Sequence, residues 1–217
     1  MPIRIETLSD VATGLDALEL LDPRLTRVRQ QAGEVDLRRR PAGFSSLASI
    51  IVSQQVSLAS ASAITGRLCL LIDPLDPQGV LEAGEPVLVE AGLSRAKQKA
   101  LLALAQAAAS GKLDLEVLCD WDVEAATTAI TALPGLGPWS AQVYLLSCAG
   151  HADVFPAGDV ALQVAVQMAF DLQKRPTALG LAVMAESWTP WRSVAARLFW
   201  AFYREVKGRE AKLPAFT

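Results

Sequence analysis

The pattern with the clearest chemical use in this sequence is a glycine turn, followed about 20 residues later by Asp159. Residues 133–137 read Leu-Pro-Gly-Leu-Gly and lie between two segments compatible with helices, 122–132 and 138–149. Glycine tolerates the positive φ and the close backbone approach that such a turn needs. Several backbone N–H groups would then point outward near the positive end of the second helix, which suits a phosphate. The spacing therefore predicts a hairpin that grips a nucleic-acid backbone without reading its sequence.

The pentapeptide alone also fits an ordinary helix–helix turn, so its surroundings decide the interpretation. Pro138, Trp139 and Ser140 open the second helix, and residues 153–160 read Asp-Val-Phe-Pro-Ala-Gly-Asp-Val. With these neighbours the chain resembles the helix–hairpin–helix DNA glycosylase superfamily, and within it the 3-methyladenine DNA glycosylase II branch. Three more stretches carry the resemblance: Ile-Ile-Val-Ser-Gln-Gln-Val-Ser at 50–57, Gly-Leu-Ser-Arg-Ala-Lys-Gln-Lys-Ala at 92–100 and Trp-Thr-Pro-Trp-Arg-Ser at 188–193.

The resemblance assigns the catalytic carboxylate to Asp159. Excision of a base breaks the bond between C1′ and the base nitrogen, and positive charge develops on the sugar. A carboxylate beside C1′ stabilises that charge and can orient or deprotonate the attacking water. Asp159 also precedes a predicted helix over 160–170, so it suits an N-cap, and the two roles are compatible. Asp153, the nearest competing carboxylate, is expected to have a structural role beside its apolar neighbours.

Two tryptophans match aromatic positions of the family. Trp139 and Trp188 are predicted to line the base pocket, where aromatic faces attract the positive charge of an alkylated purine. Ordinary core packing is the alternative for each. Some relatives carry a lysine at position 139 that attacks C1′ and leads to strand cleavage. Tryptophan stands there in this chain, so the resemblance implies base removal without lyase activity.

The resemblance also implies a set of DNA contacts. The extruded base leaves a gap in the duplex, for which Gln55 is the predicted wedge, assisted by Gln54. The predicted DNA-binding residues are Gln54, Gln55, Gly135, Gly137, Ser140, Arg95 and Lys97. A solvated helix face is the alternative for Arg95 and Lys97. In the family the hairpin carbonyls bind a monovalent cation, for which Leu133 and Leu136 are the candidate donors here.

Helical periodicity dominates the chain and predicts an all-α fold of about ten helices joined by short turns. Clear examples are residues 94–110 and a long helix that begins at Pro190, with Thr189 as its cap. The resemblance implies a single catalytic core, 1–217, in two lobes with a cleft between them. Residues 57–155 would form the middle lobe, and residues 1–56 with 156–217 the second lobe.

Composition narrows the class of protein further. The 217 residues are 52% hydrophobic and 20% charged, which is typical of a globular protein, and the net charge of −3 mildly disfavours nucleic acid. Local cations and helix N-termini can still attract phosphates. We expect no membrane segment, a cytoplasmic monomer acting at the bacterial nucleoid, and no essential organic cofactor. No cysteine follows Cys148, so the iron–sulfur cluster of some relatives should be absent.

Three functions stay open on the sequence alone. The leading one is a monofunctional glycosylase that removes 3-methyladenine or 7-methylguanine from duplex DNA and leaves an abasic site for base excision repair. The second is a glycosylase of the same superfamily for deaminated or other damaged bases, since Val143 and Val160 stand where certain relatives carry tyrosine. The third is a non-catalytic, structure-selective DNA-binding protein, which the acidic composition and a purely capping Asp159 would fit.

Overall fold

A computed structural model describes residues 3–210 of the protein, and this part of the chain contains eleven α-helices. The helices are α1 (Leu8–Leu21), α2 (Arg24–Ala32), α3 (Phe44–Ser53), α4 (Leu58–Leu71), α5 (Pro77–Glu90), α6 (Arg95–Ala109), α7 (Val123–Thr131), α8 (Pro138–Tyr144), α9 (Val160–Ala169), α10 (Ala178–Ala185) and α11 (Arg192–Glu210). Within the described range no β-strand forms, and backbone pairing is limited to one isolated bridge between Arg4 and His151. The all-α prediction is confirmed.

The contacts of the backbone divide the chain into two units. The terminal unit comprises Met1–Arg39 and Gly150–Thr217, and the middle unit comprises Arg40–Ala149. The predicted lobe boundaries stay a prediction, and their residues 1–2 and 211–217 lie outside the described range. The division found here differs from them at residues 40–56 and 150–155. The first difference arises because α3 packs against α4, α6 and α8 of the middle unit.

In the middle unit, α3 is the central helix. Seven of its ten residues are buried, because its sequence is apolar on nearly all sides and other helices cover it. Tyr144, at the end of α8, fixes the segment that leads into α3: its hydroxyl accepts the Gly43 N–H (2.8 Å) and donates to the Leu115 carbonyl (3.0 Å). Burial raises the pKa of this phenol above its usual value.

In the terminal unit, α11 packs against α1, α2 and α9. Gly14 permits the close approach of α1, because a Cβ there would lie 2.7 Å from a Val194 methyl carbon. Arg197 is buried on α11 and donates to the carbonyls of Leu37 (2.8 Å) and Ser193 (2.9 Å). Burial lowers its pKa to about 10.

The prediction that the long helix begins at Pro190 is wrong by two residues, because α11 begins at Arg192. Thr189 instead ends the short 3₁₀ turn Glu186–Trp188. The first carbonyl to accept bonds from the helix belongs to Trp191, which receives the amides of Val194 and Ala195.

Candidate nucleic-acid interface and carboxylate site

The predicted hairpin is present in the middle unit between α7 and α8. The Leu136 N–H donates to the Leu133 carbonyl (3.2 Å), which closes a four-residue turn with Pro134 and Gly135 at its centre. Gly135 has φ +80°, and a Cβ on it would lie 2.8 Å from Cβ of Ala100 on α6. Proline followed by a positive-φ glycine is the signature of a type II turn. Glycine is therefore required at position 135 by its backbone angle and by its contact with α6.

The start of α8 is open on the side of Gly137. This residue is the N-cap, with extended backbone (φ −102°, ψ 179°) and no side-chain hydrogen bond to the first turn. A Cβ at Gly137 would meet no atom within 4 Å. Unfilled space beside the N-terminus of a helix leaves room for an anion. The Leu133 carbonyl accepts the turn's own bond and the Leu136 side chain is buried, so the cation assigned to these carbonyls stays a prediction.

Gln54 and Ser140 form an internal link behind the hairpin. The Gln54 Nε2 donates to the Gly135 carbonyl (3.1 Å) and to the Ser140 hydroxyl (2.9 Å). Ser140 is only 1% exposed. In the described structure both side chains therefore support the hairpin from within, whereas the sequence placed them among the DNA contacts.

Lys97 also points into the protein. Its ammonium donates to the carbonyl of Val52, one residue before the end of α3 (2.7 Å), and the residue is buried. Burial lowers the pKa of this lysine. A cation at the C-terminal end of a helix satisfies its last carbonyls and the helix dipole. By contrast, Arg95, at the start of α6, is exposed.

Gln55 is exposed and directly follows Gln54 in the sequence. It has φ +54°, which is uncommon for a residue other than glycine. Val56 is exposed beside it, and Ser57 then caps α4 by accepting the Ser60 N–H (3.1 Å). Strained backbone of this kind is concentrated at functional sites, so the geometry of Gln55 is compatible with its predicted role as the wedge.

In the terminal unit, Asp159 is the N-cap of α9. Its Oδ1 accepts the Leu162 N–H (3.1 Å) and the indole N–H of Trp200 (3.4 Å), and the residue is half-buried. The capping prediction is therefore confirmed. Both of these donors are neutral groups, and their bonds orient the carboxylate.

Trp200 is the neighbour of Asp159 that sequence reasoning missed. It is half-exposed on α11, and the guanidinium carbon of Arg38 lies 5.0 Å from the centre of its ring. A sequence signal existed, because Trp200 falls outside the apolar series of α11 that contains Leu198 and Phe202. The helical periodicity therefore places this tryptophan outside the buried stripe of α11.

Trp188 has the environment of a core residue. It is 0% exposed, and its indole N–H donates to Oδ2 of the buried Asp22 (3.1 Å). Its ring centre lies 5.5 Å from that of Phe155 and 5.1 Å from that of Phe199. The role of Trp188 in a base pocket stays a prediction, as does that of Trp139, which is half-buried in the first turn of α8.

Other ionisable groups have structural partners. Asp153 forms a two-pronged ion pair with Arg192, at 2.6 and 3.0 Å. Across residues 3–210 there is no group of three or more His, Cys, Asp or Glu side chains that could hold a metal ion. Nor does any helix in that range have the length and apolarity needed to cross a membrane.

Comparison with known proteins identifies one family. Residues 48–193 match the model of the HhH-GPD superfamily of base excision DNA repair proteins. A probable bifunctional transcriptional activator/DNA repair enzyme AlkA from Mycobacterium tuberculosis is 34% identical over 161 residues, or 69% of this chain. The chain spans only 31% of that relative's length.

Two solved structures have the same fold over nearly the whole chain. A DNA-3-methyladenine glycosidase from Bacillus halodurans is 27% identical, with a TM-score of 0.76 and coverage of 97% of this chain and 94% of its own. The 3-methyladenine DNA glycosylase Mag1 of Schizosaccharomyces pombe, in complex with abasic DNA, has a TM-score of 0.82 at 23% identity, covering 94% of this chain and 99% of its own. These matches confirm the predicted all-α fold of the helix–hairpin–helix glycosylase core, and the two lobes with a cleft between them stay a prediction.

Proposed function

Because the chain belongs to the HhH-GPD superfamily of base excision DNA repair proteins, we propose that it is a monofunctional DNA glycosylase acting on alkylated purines. Its substrates would be 3-methyladenine and 7-methylguanine in duplex DNA, and its product an abasic site. The observation that carries the proposal is Asp159: a half-exposed carboxylate, fixed at the start of α9 by its capping bond.

The reaction needs little acid catalysis. An alkylated purine is already cationic, so the C1′–N bond can break with both electrons leaving on a neutral base. The positive charge that develops on the sugar is stabilised by the Asp159 carboxylate. A water oxygen then bonds to C1′, and its proton passes to the carboxylate and on to solvent. No essential organic cofactor is required by these steps.

In the terminal unit we assign Trp200 to recognition of the base, and Trp139 and Trp188 stay the residues that the resemblance predicts for this role. Trp200 is supported by its hydrogen bond to Asp159, because a base attached to the sugar carbon beside that carboxylate lies within reach of the same ring. Aromatic faces favour cationic bases by about 0.5–2 kcal/mol. Trp188 is fully buried, so its contribution would be to hold the site's supporting core.

DNA is gripped, in this proposal, by the middle unit. The amides at Gly135 and Gly137 bind a backbone phosphate, with Arg95 adding charge, and Gln55 fills the gap left by the extruded base. The open space beside Gly137 and the exposed, positive-φ position of Gln55 support these roles. A monovalent cation on the carbonyls of Leu133 and Leu136 would add a bridge to the phosphate.

Strand cleavage is not expected. The Schiff-base route needs an amine in reach of C1′, and tryptophan occupies position 139 where some relatives carry that lysine. The protein would act as a monomer on chromosomal DNA, leaving an intact strand that breaks only on treatment with alkali.

The test is single-turnover release of bases from methylated duplex DNA by Asp159→Asn. Asparagine caps helices as well as aspartate does, so the fold should survive while the charge is lost. We expect release to slow by about 10²–10³-fold, the usual cost of one electrostatic group, with unchanged affinity for abasic DNA. Asp171→Asn is the matched control: it is an exposed carboxylate at φ +51°, which asparagine also tolerates. Near-normal turnover of Asp159→Asn would overturn the mechanism.

A further inference from the structure

The Gln54 side chain joins the two parts of the middle unit that would touch DNA. It follows the last residue of α3, directly before Gln55, and its amide nitrogen donates to the Gly135 carbonyl and the Ser140 hydroxyl. A side-chain amide nitrogen carries two N–H groups, so these two bonds use its full donor capacity. One acceptor belongs to the hairpin turn and the other to the first turn of α8.

Both acceptors are themselves fixed. Gly135 lies against Ala100 of α6 so closely that a Cβ would not fit. Ser140 is almost entirely buried. The bond to Ser140 transmits position, because displacing Gln54 would take a donor away from the buried Ser140 hydroxyl. The bond to the exposed Gly135 carbonyl then links that fixed side chain to the turn.

Helix α6 supports the same turn from its other side. Lys97 binds the Val52 carbonyl (2.7 Å), and Ala100, one turn further along α6, contacts Gly135. Gln55 thus lies beyond a segment that is tied to α6 through Val52 and to the hairpin through Gln54. Gln55 has a positive φ and an exposed side chain directly after these attachments.

We propose that Gln54 is a positioning residue that couples the phosphate grip of the hairpin to the insertion of Gln55 into duplex DNA. The inference rests on the proposed function for its DNA substrate. It assigns Gln54 no contact with DNA: the residue acts through Gly135 on one side and Gln55 on the other. Loss of the Gln54 amide should weaken both phosphate binding by the hairpin and insertion of Gln55 into the duplex. Loss of the Gln55 side chain should weaken only insertion.

The experiment measures equilibrium binding to two duplexes, one undamaged and one carrying an abasic-site analogue opposite 2-aminopurine. Affinity for the undamaged duplex measures the grip, and the fluorescence change of 2-aminopurine measures insertion. Gln55→Ala should reduce the fluorescence change and leave the affinity for undamaged DNA unaltered. Gln54→Ala should reduce that affinity by about three- to tenfold, the worth of one to two hydrogen bonds, and also reduce the fluorescence change.

Two further variants separate positioning from general damage. Gln54→Glu keeps the size of the side chain but loses the N–H that the Gly135 carbonyl accepts, so it should resemble Gln54→Ala. Ser140→Ala should have a smaller effect that is absent in the Gln54→Ala background, since the two residues share one bond. Gln106→Ala removes an exposed glutamine of α6 and should change neither readout.

The inference is overturned if Gln54→Ala, once corrected for its folded fraction by thermal melting, changes only one readout or neither. Because both readouts are binding measurements, they do not depend on catalysis. Wild-type protein that releases no base while Gln54→Ala behaves as expected would contradict the proposed function alone. Normal base release with an unaffected Gln54→Ala would contradict the coupling alone.

Discussion

The two units hold their candidate functional groups by different physical means. In the middle unit the proposed DNA contacts are mainly backbone groups, and the side chains of Gln54 and Lys97 hydrogen-bond to backbone carbonyls and hold them in place. In the terminal unit, one side chain, Asp159, is presented at the end of α9 and touched by Trp200. Sequence-independent binding needs a rigid backbone, whereas bond breaking needs a single charge in place. The difference implies that grip and chemistry can be damaged separately.

Substitution of Gly135 should have the largest effect of the changes considered, and it should act on the hairpin of the middle unit that is proposed to bind DNA. In Gly135→Ala, the left-handed backbone and the overlap with Ala100 should together lower the free energy of unfolding by about 2–4 kcal/mol, or distort the turn and abolish tight binding. Urea unfolding and affinity for abasic DNA measure the two outcomes. Gly66→Ala is the control: a Cβ there meets nothing within 4 Å, and alanine should be neutral or stabilising in the interior of α4.

Asp22 tests the buried core of the terminal unit around Trp188. It is buried, accepts the Trp188 indole N–H and is paired in two-pronged fashion with Arg24, at 2.8 Å for both contacts. In Asp22→Asn we expect the free energy of unfolding to fall by about 1.5–3 kcal/mol, as for hydrogen bonds to charged groups. Asp16→Asn, which breaks an exposed ion pair with Arg29, should cost less than about 1 kcal/mol.

The same residue predicts a pH dependence. The bond from Arg24 holds the pKa of Asp22 below its usual value of 3.8. A lowered folded-state pKa contributes stability that is complete above 3.8 and is lost as the pH falls through the folded-state pKa. The gap in stability between wild type and Asp22→Asn should therefore be constant near neutral pH and shrink in acid below that value. Denaturant titrations across this range would show a constant gap if the ion pair were unimportant.

Trp200→Phe should have the smallest effect on base release, and it tests whether Trp200 belongs to the proposed base pocket. Phenylalanine keeps an aromatic face beside Arg38 but cannot donate to Asp159. Because that bond is long, at 3.4 Å, base release should slow only about two- to tenfold, with DNA affinity retained. Trp121→Phe, at an exposed position of the middle unit, should be silent. A loss of DNA affinity in Trp200→Phe would instead indicate that this ring contributes to DNA binding.

Local patterns in the sequence were sufficient to predict the helices and the hairpin turn. Apolar spacing predicted a helix over 94–110, and α6 covers Arg95–Ala109. Proline and glycine predicted the hairpin, since a positive φ leaves few alternatives. The start of α11 was misplaced because the residues before it form a 3₁₀ turn with their own hydrogen bonds.

Long-range partners of side chains could not be read from the chain in the same way. Lys97 resembled a DNA contact because its carbonyl acceptor, at Val52, is 45 residues away in sequence. Trp188 and Trp200 are both tryptophans near the C-terminus, yet one is paired with Asp22 in the core and the other with Asp159. Which helix face is covered depends on packing that no local pattern encodes.

The central claim is that this protein hydrolyses the glycosidic bond of alkylated bases, and mass spectrometry of bases released from methylated duplex DNA tests it most directly. We expect free 3-methyladenine and 7-methylguanine, with strands that stay intact until alkali cleaves them at the abasic sites. Tight binding to abasic DNA without release of any base would contradict glycosylase activity, and would identify the protein as a structure-selective DNA binder.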